Sequence, residues 1–199
     1  MKLLVTGFGP FPGVHHNPSG QIALAMGQSA RLKRLGIRVA AHELIVTYAA
    51  LPDLVTLIAR EKPDAIMMFG IAARSQQPRL ERRGENRTRP LSVDASGQKP
   101  PSRKLDPSAP LIRPVRAALE PLRLAIARQG FRPTLSNNAG AYLCNAVLFT
   151  ALGQRPDAPC IFIHVPKLSR QGIARMAKAG DECALLLLAQ ARRQRQRAV

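Results

Sequence analysis

The sequence predicts a three-layer α/β/α sandwich built on a mainly parallel, twisted sheet within a single domain, and three observations carry that prediction. Short apolar runs, Leu3-Leu4-Val5, Ala65-Ile66-Met67-Met68-Phe69 and Ile161-Phe162-Ile163, read as strands covered on both faces. Helix-like segments alternate with these runs along the chain, the pattern of a parallel sheet with helices on either side. Finally, 199 residues at 46% apolar content fit one domain with a substantial core, and neither an internal repeat nor a linker divides them.

Residues 2–6 read as the first buried strand, followed by the turn Gly7-Phe8-Gly9-Pro10-Phe11-Pro12-Gly13. Asn17-Pro18-Ser19 opens a helix, a capping residue followed by an early proline, and that helix is expected to run to about residue 34. Residues 37–47 alternate partly and are read as a second strand. Residues 49–61 place apolar side chains three and four apart and predict a helix, stopped by Lys62-Pro63-Asp64. Residues 65–70 form a central strand ending in Gly70. Residues 73–110 are polar and rich in Arg, Pro and Ser without a period, and predict a long loop of the kind that is usually functional. Residues 111–129 are read as helical despite Pro114 and Pro121, and residues 132–136 as a short strand. A helix through residues 146–152, a strand over 160–165 and a last helix from about residue 170 complete the order, with the basic tail 192–199 expected to fray.

Composition bounds the function. Thirty Lys and Arg against 12 Asp and Glu give a net charge of +18, but the basic residues are scattered, aromatics are only 4% and Trp is absent. Little is available for bases to stack on, so only weak, salt-sensitive, nonspecific nucleic-acid binding is expected. No run of eighteen uncharged apolar residues exists, and the N-terminus turns polar too early for a signal peptide, so a soluble, cytoplasmic protein with no membrane association is expected. Cys144, Cys160 and Cys183 are an odd number with no C-x-x-C pair, which argues against a disulfide framework and for reduced thiols. His15-His16 lacks a third nearby ligand, so no metal is expected.

Of the cysteines, Cys160 and Cys183 lie in apolar runs and read as small buried hydrophobes. Cys144 follows the polar turn Ser136-Asn137-Asn138-Ala139-Gly140 and precedes an apolar helix, which places its sulfur at a helix N-terminus, where free N–H groups favour a thiolate. His164 is the single histidine in the apolar run Ile161-Phe162-Ile163-His164-Val165-Pro166, and Glu81 lies upstream in Arg79-Leu80-Glu81-Arg82. Thiol, base and orienting carboxylate are the parts of an activated-nucleophile hydrolase. Each also has an ordinary reading: a core histidine for His164, a surface ion pair for Glu81 among its arginines, plain packing for Phe8, Phe11 and Tyr142.

Five segments together resemble the pyroglutamyl peptidase I family, the pyrrolidone-carboxylate peptidases. Thr6-Gly7-Phe8-Gly9-Pro10-Phe11 and Asn17-Pro18-Ser19 are similar to its opening motifs, and Glu81-Arg82 with Asn86 to its acidic segment. Ala139-Gly140-Ala141-Tyr142-Leu143-Cys144-Asn145 resembles its nucleophile motif, and Phe162-Ile163-His164-Val165-Pro166 its histidine motif. The resemblance implies a cofactor-free thiol peptidase that removes an N-terminal pyroglutamyl residue, with Cys144 as nucleophile, His164 as base and Glu81 orienting the imidazole. It implies an apolar slot for the lactam at Phe8 and Phe11, with Asn17 and Tyr142 beside it, and a homo-oligomer, commonly a tetramer. Two stretches depart from the pattern: Ile71 stands where the family commonly carries Gln, and residues 87–110 align with nothing confidently. A lost hydrogen-bonding partner relaxes specificity more than it harms hydrolysis. Two alternatives stay open: a cysteine hydrolase of the same fold acting on another N-blocked amide, and a noncatalytic basic binding protein.

Overall fold

The computed structural model describes residues 1–197. The first apolar run forms strand β1 (Lys2–Phe8), two residues longer than its sequence suggests. Asn17 caps helix α1 (Pro18–Gly27) by accepting from the Ser19 backbone N–H. The single helix expected to residue 34 is two: Ser29 starts α2 (Ala30–Arg34), its hydroxyl accepting from Leu32 N–H at 3.2 Å. Strand β2 (Arg38–Leu44) follows, then helix α3 (Ala50–Glu61), which ends where Lys62 takes a left-handed φ of 46° before Pro63. Strand β3 (Ala65–Ile71) is buried over its first six residues.

Two corrections concern the middle of the chain. The expected loop 73–110 contains strands β4 (Arg79–Glu81) and β5 (Arg83–Glu85). The expected helix 111–129 opens instead with strand β6 (Ile112–Pro114), and only α4 (Leu119–Ala127) is helical. Pro114 has no N–H to continue a helix and disfavours helical backbone before it, whereas at the end of a short strand it is tolerated. Then come β7 (Thr134–Ser136), α5 (Leu143–Gln154), β8 (Cys160–Val165) and α6 (Arg170–Arg197). The tail expected to fray from residue 192 is helical to Arg197, with Arg195 paired to Asp64; residues 198 and 199 lie outside the described residues.

Six strands make one sheet in the order β2-β1-β3-β8-β4-β7, and β5 and β6 form a separate antiparallel pair. All neighbours in the large sheet are parallel except β4 and β8. Strand β8 therefore joins β2-β1-β3 to β4-β7. This is the predicted α/β/α sandwich with one antiparallel neighbour.

Alternation along the strands divides the core in two. Leu3, Val5, Met67, Phe69, Ile161 and Ile163 face the layer of α1, α4 and α6, whose Ile22, Met26, Leu122, Met176 and Leu187 are buried there. Leu4, Ile66, Met68, Cys160 and Phe162 face α3 and α5, against Leu54, Ile58, Val147 and Leu148. The period of two places His164 with Phe162 on the α3/α5 side, and Glu81 opposite Leu80 on that same side. Among the described residues no helix is long and apolar enough to cross a membrane.

Candidate active site

The site lies at the carboxyl ends of β1, β3 and β8, where open α/β sheets leave a crevice. Gly140, at φ +87°, makes the turn before α5, and Asn138 Oδ1 accepts from its N–H at 2.9 Å. Cys144 is the second residue of α5, so its backbone N–H falls in the first turn, where helix donors have no intrahelical partner.

Strand β8 carries His164 across from Gly70 on β3 and from Arg79 on β4. Gly70 is the close approach that admits the sulfur: a Cβ there would lie 2.9 Å from Cys144 Sγ and 2.6 Å from Phe162 Cζ. The His164 ring stacks at a tilt on Phe162, centroids 4.8 Å apart.

On the ring's other side, His164 Nδ1–H donates to Glu81 Oε1 at 2.8 Å. This contact engages Nδ1 and leaves Nε2 for the cleft. Glu81 is 0% exposed and His164 4% exposed, so the pair is removed from water. Glu81 is thus no surface ion pair: antiparallel β4 turns it inward, while Arg79 Nε stays 3.9 Å from its Oε1. Burial disfavours the charged imidazole, but the Cys144 sulfur, through charge and a hydrogen bond, and then Glu81, favour it, and together raise the His164 pKa to about 9. Sulfur, imidazole and carboxylate, up to 83 residues apart in sequence, are brought into one electrostatic unit.

Two spaces meet at the sulfur. One is an apolar slot of about 60 Å³ lined by Phe8, Phe11, Val46, Ile71, Tyr142 and Leu143, with Asn17 also in its wall. That is about four times the ~15 Å³ a water molecule needs, room for a small ring and far below the ~300 Å³ of a drug-sized pocket. The other is an open trench of about 840 Å³ that runs past His164. Phe8 is buried and Phe11 half-buried, and both contribute walls to the slot as well as packing to the core. Asn17 is largely committed to backbone: its Nδ2 donates to Gly9 O at 2.9 Å and its Oδ1 accepts from Ser19 N–H and Oγ–H. Tyr142 lines both spaces, donates its hydroxyl to Val93 O at 3.2 Å and meets Tyr48 edge-on. Burial first, then the negative charges of Tyr48, Asp94 and Cys144, push the Tyr142 phenol up to about 12, so it stays protonated.

Two side chains that sequence reasoning quoted or passed over hold the site together. Asn145 is fully buried; its Oδ1 accepts from Glu85 N–H at 2.8 Å, and its Nδ2 donates to Glu85 O and Arg87 O at 2.7 and 3.1 Å. It ties the segment that carries Glu81 to the helix that carries Cys144. Asp94 accepts from Tyr48 N–H, Ser96 N–H and Oγ–H, and Gln98 N–H, anchoring the loop that Tyr142 bonds. The signal for Asp94 was present in Asp94-Ala95-Ser96-Gly97, an Asx-turn pattern; Asn145 had none beyond its place beside Cys144.

A helix-borne thiol, a strand-borne imidazole and a buried carboxylate gather on one face of this sheet, and together they are the parts of an activated-nucleophile hydrolase of the cysteine type. The model of the pyroglutamyl peptidase family matches residues 1–188, and the chain belongs to that family. It is 32% identical to the pyrrolidone-carboxylate peptidase of Gloeobacter violaceus over 195 residues, 94% of this chain and 92% of that one. With the pyrrolidone-carboxylate peptidase of Thermococcus kodakarensis it shares 33% identity over 184 residues, 87% of this chain and 84% of the relative. A mutant pyrrolidone carboxyl peptidase from the hyperthermophile Pyrococcus furiosus has a similar structure, with a TM-score of 0.86 at 25% identity over 96% of this chain and 100% of the other.

Proposed function

We propose that this chain removes an N-terminal pyroglutamyl residue from peptides through Cys144, His164 and Glu81. The observation that carries the reading is the buried 2.8 Å contact between Glu81 Oε1 and His164 Nδ1, on a ring whose charge is coupled to Cys144. The lactam enters the slot between Phe8 and Phe11, and its exocyclic carbonyl lies at the sulfur. Cys144 Sγ, as the thiolate, forms a bond to that carbon, and the negative charge that develops on oxygen meets the Cys144 N–H at the start of α5. As the tetrahedral adduct collapses, the C–N bond breaks and His164 Nε2–H gives its proton to the leaving amine. Water then attacks the thioester, His164 takes one of the water's protons, the C–S bond breaks, and pyroglutamic acid leaves with the thiolate and imidazolium restored. Glu81 holds the imidazole in this tautomer and offsets its positive charge.

The test is hydrolysis of a pyroglutamyl anilide by reduced protein, abolished by Cys144→Ser and by iodoacetamide. No turnover by pure, folded protein sinks the proposal.

A second reading, the same chemistry on a wider range of N-blocked amides, is favoured by one observation: Ile71 lines the slot with an apolar side chain. Ile71→Gln then narrows the range, raising the pyroglutamyl rate relative to an N-acetyl anilide; an unchanged ratio rejects this reading. Three free cysteines support a reducing, cytoplasmic setting. A homo-oligomer belongs to the same proposal, and light scattering tests it; Ile45, Leu91 and Leu111 are exposed apolar side chains that association would cover.

A further inference from the structure

We propose that the trench beside Cys144 is a carboxylate subsite that selects peptides whose residue after the pyroglutamyl group carries a carboxylate, on its side chain or as a free C-terminus. The proposal rests on the slot being the acyl site. With the lactam in a slot of about 60 Å³, the departing chain must lie on the other side of the sulfur, in the open trench. Arg74, Arg79 and Arg89 line that trench, and no Asp or Glu lines it with them.

Other arginines have carboxylate partners of their own: Arg83 and Arg87 share Glu85, and Arg113 pairs with Asp106. Arg74 and Arg89 belong to no such pair among the described residues. Arg79 has one carboxylate near it, Glu81, but at 3.9 Å, and the oxygen it approaches is bonded to His164 at 2.8 Å. Its Nε is buried without a hydrogen-bond partner among the described residues. Arg79 also sits opposite His164 in the antiparallel register, next to the ring that protonates the leaving amine. Unneutralised cations thus gather where the second residue of the substrate departs. Guanidinium groups bind carboxylates in forked pairs, and lysine or arginine at that substrate position meets repulsion instead.

The experiment measures kcat/KM for four substrates: pyroglutamyl-glutamate amide, pyroglutamyl-lysine amide, pyroglutamyl-alanine and pyroglutamyl-alanine amide. At low ionic strength the glutamate amide is expected to exceed the lysine amide about tenfold, falling to about twofold near ~1 M salt, where the screening length is ~3 Å. A gain of free pyroglutamyl-alanine over its amide identifies the C-terminal carboxylate as a source; a gain of glutamate amide over alanine amide identifies the side chain. In the double variant Arg74→Glu, Arg89→Glu the preference between glutamate and lysine inverts, which a loss of folding alone does not produce. Equal rates for all four substrates, or a preference untouched by charge reversal, overturn the subsite. No turnover of pyroglutamyl-alanine amide by the wild type overturns the peptidase reading instead.

Discussion

Glu81 Oε1 and His164 Nδ1 are 2.8 Å apart across the one antiparallel pairing of the large sheet. Parallel β3 brings Gly70, with no side chain, to the same ring, and the reversed strand supplies the carboxylate. A Gln at position 81 presents an amide that can donate to Nδ1 and stabilise the wrong tautomer. Glu81→Gln is expected to lower kcat by about 10²- to 10⁴-fold with an unchanged circular dichroism spectrum; a loss under tenfold shows that the carboxylate does not orient the base.

The pH dependence follows from His164, whose pKa rises from 6.5 to about 9 on folding. The proposed mechanism needs the imidazolium, so kcat/KM is expected to fall on the alkaline side with an apparent pKa near 9. The same proton links to stability. Below pH 6.5 folded and unfolded rings are both protonated and the contribution is complete; between 6.5 and about 9 only the folded ring holds its proton, so stability declines as pH rises through that window. In Cys144→Ser, which removes the leading favourable influence on the imidazolium, this decline becomes shallower, as thermal melts from pH 6 to 9 check.

Gly70→Ala tests the close packing of the nucleophile. The new methyl would lie 2.9 Å from Cys144 Sγ and 2.6 Å from Phe162 Cζ, so the sulfur or the Phe162 ring must move. Displacement of a reacting atom by about 1 Å costs on the order of 10²-fold in rate. The expected result is a drop in kcat of that size and slower alkylation by iodoacetamide; wild-type values for both reject the argument.

Asn145→Leu leaves Glu85 N–H, Glu85 O and Arg87 O without the partner they have now. These bonds are only partly buried, so each lost one costs about 1 kcal/mol, and a total loss of about 2–4 kcal/mol is expected in urea denaturation. Activity falls with it in the fraction that remains folded, because the segment bearing Glu81 is released from α5.

Much of this arrangement is legible without coordinates. The buried runs of β1, β3 and β8 announce a doubly covered sheet, and alternation along β8 puts His164 on a defined face. Glu81 was harder to place. Its strand is three residues long, flanked by arginines, and held by pairings to Ile163, His164 and residues 134–136 that no local pattern reveals. The helix expected through Pro114 failed for a related reason, since β6 exists only by pairing with β5. The break between α1 and α2 was readable in Ser29, a good capping residue, but the continuing apolar pattern masked it.

Strand β8 has a consequence for synthesis of the chain. It is the last of the described strands along the chain, yet it occupies the middle of the sheet, so until it inserts, β2-β1-β3 and β4-β7 remain two unjoined halves. The imidazole rides on that closing strand. Under the proposed roles of Cys144 and His164, a nascent or truncated polypeptide ending before it carries a thiol with no base to serve it, and hydrolytic competence arrives together with completion of the sheet.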